Sequence, residues 1–234
     1  MQPPSLLRSK FFWVGVLYFA QGFPFGVFYD VLPVYFRAQG MELAKIGFLA
    51  LFGLSWTVKF LWAPAIDYFR HHRRWMFAVN LLMAGVMMVL AVHARIDAWL
   101  WAAIGCFTRL SATNDIAIDG YTVELFNRGE LGRANGLRIA FWRVGLLGAG
   151  GLLMLQSWIG WPAVYVGAAV MMVISAFVCL TAPQEGTRSA SGLVDPMTEL
   201  RSFLNRPLIL LATLLVILGL IAGSLKHAEW ALLL

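Results

Sequence analysis

Apolar residues run along this chain in blocks of about twenty, interrupted by short polar segments, and each block is long enough to cross a bilayer as a helix. The blocks predict spans over Phe11–Phe36, Ile46–Ile66 and Trp75–His93, a fourth from Ala98, a fifth from Leu137, and a sixth over Trp161–Ala182. The expected architecture is all-α and polytopic: a six-helix transmembrane bundle over 1–183, a cytoplasmic linker over 184–206, and a truncated seventh helix over 207–234. Gly22, Pro24 and Gly26 mark the middle of the first span as a place for a kink or a close helix contact. The cluster Gly145, Gly148, Gly150 and Gly151 marks small-residue packing in the fifth.

One stretch departs from the apolar pattern. Arg109 to Glu124 reads RLSATNDIAIDGYTVE, inside the fourth span. A charge at the bilayer centre costs about 2.5–3.5 kcal/mol even on the lenient insertion scale, so such residues face a bundle interior or a wet cavity. The buried charges number three cations, Lys59, Arg109 and Arg143, and three acids, Asp30, Asp115 and Asp119. That balance favours pairing. Lys59, Asp115 and Arg143 are expected at one level, roughly 10 Å from the cytoplasmic ends of their spans. With Asn114, these residues form the candidate substrate or proton path: Asp30, Lys59, Arg109, Asn114, Asp115, Asp119 and Arg143. Asp115 and Asp119 share a helix face at i,i+4. Arg138, near an interface, reads as a snorkelling side chain. Spans 3 and 6 carry no charge, which suggests two three-helix repeats whose third helix faces lipid.

Composition agrees with this class. The chain is 60% hydrophobic and 13% charged, against about 45–50% and 25% for a soluble domain. The net charge of +6 does not indicate nucleic-acid binding, because the cations fall in alternate loops. Eleven Lys and Arg lie on the side of the N-terminus and four on the other, which predicts a cytoplasmic N-terminus. Cys106 and Cys179 both lie in apolar spans and read as packed, reduced thiols. No zinc-ligand spacing, P-loop, dinucleotide fingerprint or hydrolase triad is present, so neither an enzyme nor a cofactor or metal is expected.

The layout resembles the major facilitator superfamily: six spans, a long basic linker, then a seventh span. Asp67 with Arg70, Arg73 and Arg74 is similar to that superfamily's loop 2–3 motif, with Ala63 where a glycine is usual. Glu124 and Arg133 resemble the acid and arginine that meet this loop, so these six residues form the candidate cytoplasmic gate. KIGFLALFGLSWTVKFLWAPAID (Lys45–Asp67), SATNDIAIDGYTVE (Ser111–Glu124), WRVGLLGAGG (Trp142–Gly151) and GWPAVY (Gly160–Tyr165) resemble the peptide and acetyl-coenzyme A transporter family and, within it, AmpG-type muropeptide permeases. The resemblance covers roughly residues 15–183. It implies two six-helix halves with the path between them, and proton-coupled import of anhydro-muropeptides across a bacterial inner membrane for cell-wall recycling. The substrate is expected to be small and anionic. Transport of another anionic solute such as acetyl-coenzyme A, or a non-transporting truncated membrane subunit, are the alternatives. The chain's extent suggests a fragment, or a half that needs a missing second half or a partner chain; membrane lipid is the other expected partner.

Overall fold

A chain in hydrocarbon must satisfy its backbone hydrogen bonds internally, and the apolar blocks do so as helices. The structure is a computed structural model and describes residues 9–69, 71–93, 98–126 and 129–183. The linker, the seventh helix, Arg70 and Arg128 lie outside the described residues. The first span is α1 (Lys10–Gly26), a π turn (Val27–Val31) and α2 (Leu32–Ala38). The second is broken into α3 (Leu43–Gly47), α4 (Leu49–Phe52), α5 (Leu54–Val58), a 3₁₀ turn (Lys59–Leu61) and α6 (Ala63–Phe69). Then follow α7 (His72–Val92), α8 (Ala98–Leu125) and α9 (Leu131–Thr181).

Four stretches qualify as membrane spans by length and composition alone: Lys10–Ala38, Leu43–Leu61, His72–Val92 and Gly132–Thr181. The last is two spans. At Gly160 the backbone leaves the helix (φ 76°, ψ 166°), a conformation open to glycine because it has no β-carbon. Pro162 then sits at the start of the returning arm, where a helix has no use for the missing N–H. Helix α8, at 28 residues, is also long enough to cross a bilayer, but Arg109, Asp115, Asp119 and Glu124 set it apart from a plain apolar span.

Prolines shape the first span. Pro24 lies inside α1 and cannot donate to the carbonyl of Ala20. The buried Asn114 amide of α8 supplies a donor to that carbonyl, at 3.5 Å. Pro33 likewise leaves the Tyr29 carbonyl without its usual donor, and the ladder widens into the π turn just before it.

Helix α1 packs most extensively on α9, and α7 packs on α9 and α8. The second span packs chiefly on α8 and is the least buried of the candidate spans. Spans 3 and 6 each carry an outward apolar stripe: Leu81, Leu82, Met88, Val89 and Val92 on one, Val166, Val170, Ile174 and Phe177 on the other.

The buried apolar residues form two separate clusters. On α1 one cluster ends at Tyr18 and the other begins at Phe23; on α7 the break lies between Met76 and Met83. On α8 it lies between Phe107 and Ile116, and on the last arm between Met172 and Cys179. The gap is filled by buried polar side chains: Gln21, Asn80, Thr108, Ser111, Asn114, Asp115 and Ser175. A polar belt therefore cuts through the bundle at one level.

Candidate functional site

The belt is where the charges meet. Lys59, in the 3₁₀ turn of the second span, places Nζ 3.5 Å from Oδ2 of Asp115 and 3.8 Å from Oδ2 of Asp119. One turn of α8 separates the two carboxylates, so one ammonium bridges them. The opposite side of Asp119 is held by two other helices. The Tyr18 hydroxyl of α1 donates to Oδ1 at 2.8 Å, and Arg138 of α9 approaches the same oxygen at 3.1 Å. The Arg138 guanidinium also lies 4.9 Å from the centre of the Tyr18 ring, in cation–π contact. Two cations and two carboxylates thus form a formally neutral set that, with the Tyr18 hydroxyl, joins four spans.

The two acids differ in setting. Asp115 is buried, 8% exposed, and Gln21 of α1 hydrogen-bonds to it. Asp119 lies at the edge of a cavity of about 420 Å³ that Tyr18, Thr122, Asn135 and Arg138 also line. Above the ion pairs the belt continues as neutral bonds. Ser55 meets Thr108 at 3.1 Å, and Asn80 donates to Asn114 at 3.0 Å and to the Met76 carbonyl at 2.8 Å. Farther along the second span, the Trp62 indole donates to Thr113 at 3.1 Å.

Of the candidate path residues, Lys59, Asp115 and Asp119 come together, with Asn114 in the belt beside them. Asp30, Arg109 and Arg143 are exposed and stand outside this ionic set. Arg138 takes the position foreseen for Arg143, and it pairs inward where a snorkelling side chain was expected. The reason is the start of the helix: α9 begins at Leu131, about six residues ahead of the expected Leu137, which moves every depth in that span by roughly 9 Å. Among the candidate gate residues, Asp67 sits against Gly120 of α8, where a β-carbon would lie 3.2 Å from its Oδ1. Arg73 and Glu124 are half-buried, and Arg74 and Arg133 are exposed.

Tyr18, Gln21 and Asn80 were missed. Attention to formal charge hid them. Asn80 belongs to a span without a charge in its apolar run, yet it is wholly buried. A lone amide in a lipid-length apolar run carries the same warning as a charge, because its four hydrogen-bonding positions need partners.

A family model of the Major Facilitator Superfamily matches residues 56–228. The chain belongs to the Major Facilitator Superfamily. Among curated proteins, it is similar to an anhydromuropeptide permease of Escherichia coli K12, 26% identical over 181 residues, covering 72% of this chain and 36% of that protein. An uncharacterised protein of Haemophilus influenzae is 28% identical over 178 residues, 71% of this chain and 41% of its own. An AmpG-named protein of Rickettsia conorii is 24% identical over 188 residues, 74% and 45% respectively. The chain therefore spans between a third and a half of the length of these relatives. No solved structure matches it at a significant level. For this superfamily member the fold class is that of a polytopic helical membrane protein, and the four-span ionic set lies within its bundle.

Proposed function

We propose that this chain supplies the first half of a proton-coupled importer of anhydro-muropeptides in a bacterial inner membrane, with its N-terminus in the cytoplasm. The observation that carries the proposal is the neutral set Lys59, Asp115, Asp119 and Arg138, with Asp115 buried and the others partly exposed, at the level where the apolar core is interrupted. The permease name of the Escherichia coli relative supports the substrate class.

The arithmetic of charge suggests how the set works. A proton placed on Asp115 cancels its charge and leaves Lys59 attracted to Asp119 alone. Asp119 is already engaged by Arg138 and Tyr18, so Lys59 gains freedom to move or to meet an anionic cargo. Loss of the proton restores the bridge and draws the second span back onto α8. In this reading Asp115 is the proton carrier, Lys59 the mobile cation, and Asp119 the anchor.

The test is uptake of labelled anhydro-muropeptide into vesicles under an imposed proton gradient. The chain is assayed alone and joined to a second half taken from a relative. Asp115→Asn is expected to abolish gradient-driven uptake while exchange of cargo across the membrane continues. Uptake by Asp115→Asn equal to wild type removes the proton role. Failure of every version, with correct insertion shown, removes the muropeptide reading.

A further inference from the structure

One helical turn from the ionic set, three of its four spans carry a second constellation. Phe25 follows Gln21 by four residues on the first span, Trp56 precedes Lys59 by three on the second, and Trp142 follows Arg138 by four on α9. The three spans run in alternating directions, and each of these steps leads to the same side of the belt. There the rings converge. Phe25 lies 5.1 Å from Trp56, 5.1 Å from Trp142 and 4.4 Å from Tyr29, between ring centres. Phe28 lies 5.3 Å from Trp56. The rings are tilted or edge-on to one another and not stacked face to face.

Several details show that the cluster is built rather than residual. Tyr29 sits in the π turn of the first span, a device that re-aims side chains. Its hydroxyl is accommodated by Gly53, where a β-carbon would lie 2.6 Å away. Tyr29 as a whole is nonetheless 44% exposed. Phe25, Trp56 and Trp142 are only half-buried. Asp30 and Arg143, the chain neighbours of Tyr29 and Trp142, are exposed. The Trp56 indole N–H has no hydrogen-bond partner among the described residues.

We propose that this aromatic shelf, formed by Tyr29, Phe25, Trp56 and Trp142, is a binding site for a pyranose ring of the cargo. A pyranose presents a face of C–H bonds whose hydrogens are slightly positive, and the face of an aromatic ring is negative. The hydroxyls at the sugar's edge stay free to hydrogen-bond. A purely aliphatic wall lacks that complementarity. The proposal rests on the muropeptide reading above, whose cargo joins an anhydro-sugar to a short peptide. It places the sugar on the shelf and the carboxylates of the peptide toward the cations one turn away.

The experiment measures binding to the full chain in lipid nanodiscs by calorimetry. The probes are a GlcNAc–anhydro-MurNAc–tripeptide, the same disaccharide without peptide, free tripeptide, and chitobiose. The disaccharide is expected to bind. Trp56→Ala and Tyr29→Ala are expected to weaken it about tenfold or more, as for anchor rings, with free tripeptide unaffected. Trp56→Phe, which keeps a ring, is expected to retain affinity within about threefold. Unfolding in mixed micelles accompanies each variant, and Tyr29→Ala removes an exposed ring, so its fold is expected to persist. Unchanged disaccharide affinity in the alanine variants overturns the shelf. So does wild-type binding of free tripeptide as tight as the complete probe, a result that leaves the muropeptide reading standing. Binding of chitobiose without any muropeptide keeps the shelf and overturns that reading. Binding of none of the probes overturns both for this chain.

Discussion

Two seams in the bundle are built on opposite principles. Where α1 meets α9 the backbones touch. A β-carbon at Gly22 would overlap the Trp142 carbonyl oxygen, and one at Gly145 would lie 2.6 Å from the Phe19 carbonyl oxygen. Gly26 is similarly close to Ala149. Where the second span meets α8, side chains hold the contact. Ser55 bonds Thr108, Lys59 bridges Asp115 and Asp119, and Trp62 bonds Thr113. The second span is also broken into four short helices and a 3₁₀ turn, while α1 and α9 are long. Lipid offers no hydrophobic drive between helices, so a seam is held by close van der Waals packing or by polar bonds. The glycine seam is rigid because packing admits one geometry. The polar seam can be opened by a change in charge. The proposed proton carrier belongs to the second kind, the seam that the proposal requires to move.

Substitutions that exchange the character of the seams test this contrast. The largest effect is expected for Gly22→Leu, whose side chain has no space against the α9 backbone. It should cost about 3 kcal/mol or more, the upper end of overpacking, measured by unfolding in mixed micelles. A cost near zero would show that the seam gives way easily. Next comes Lys59→Met. It strands Asp115, 11% exposed at its side chain, beside Asp119 without the bridging cation. It should cost about 2–3 kcal/mol, and adding Asp115→Asn should recover most of that loss. Equal stability of single and double variants would deny the coupling.

Two smaller effects bound the comparison. A β-carbon at Gly150 meets no neighbour, although this glycine shares a helix with Gly145. Gly150→Ala is therefore expected to stabilise by up to about 1 kcal/mol through helix propensity. A loss would mean that this face is covered. Ser55→Ala removes a single hydroxyl contact with Thr108 and should cost about 0.6 kcal/mol, the average for such bonds between membrane helices. A loss of several kcal/mol would show that the polar seam is held cooperatively rather than bond by bond.

The helical spans were legible because the bilayer imposes one rule on every segment: an apolar run of sufficient length with its backbone bonded internally. That rule also singled out Lys59, Asp115 and Asp119, since a charge in such a run demands a partner wherever the fold places it. It could not say which partner. The choice of Arg138 over Arg143 for Asp119 depends on where α9 starts, and helix ends depend on local turns that apolar blocks do not mark. The role of Tyr18, and the level shared by Gln21, Asn80 and Asn114, follow from how four helices are set beside one another.

The sequence by itself determined that this is a helical membrane protein, where its apolar blocks lie, and that its fourth span holds costly charge. Only the tertiary structure decided which charges pair, that polar side chains from separate helices form one belt, and that aromatic rings from three spans meet a turn away. The physical reason is the reach of each force. Transfer from water to lipid acts on each segment alone and is written in its composition. Ion pairs, hydrogen bonds and ring contacts act over a few ångströms, so they exist only once the packing of separate helices has brought their partners together.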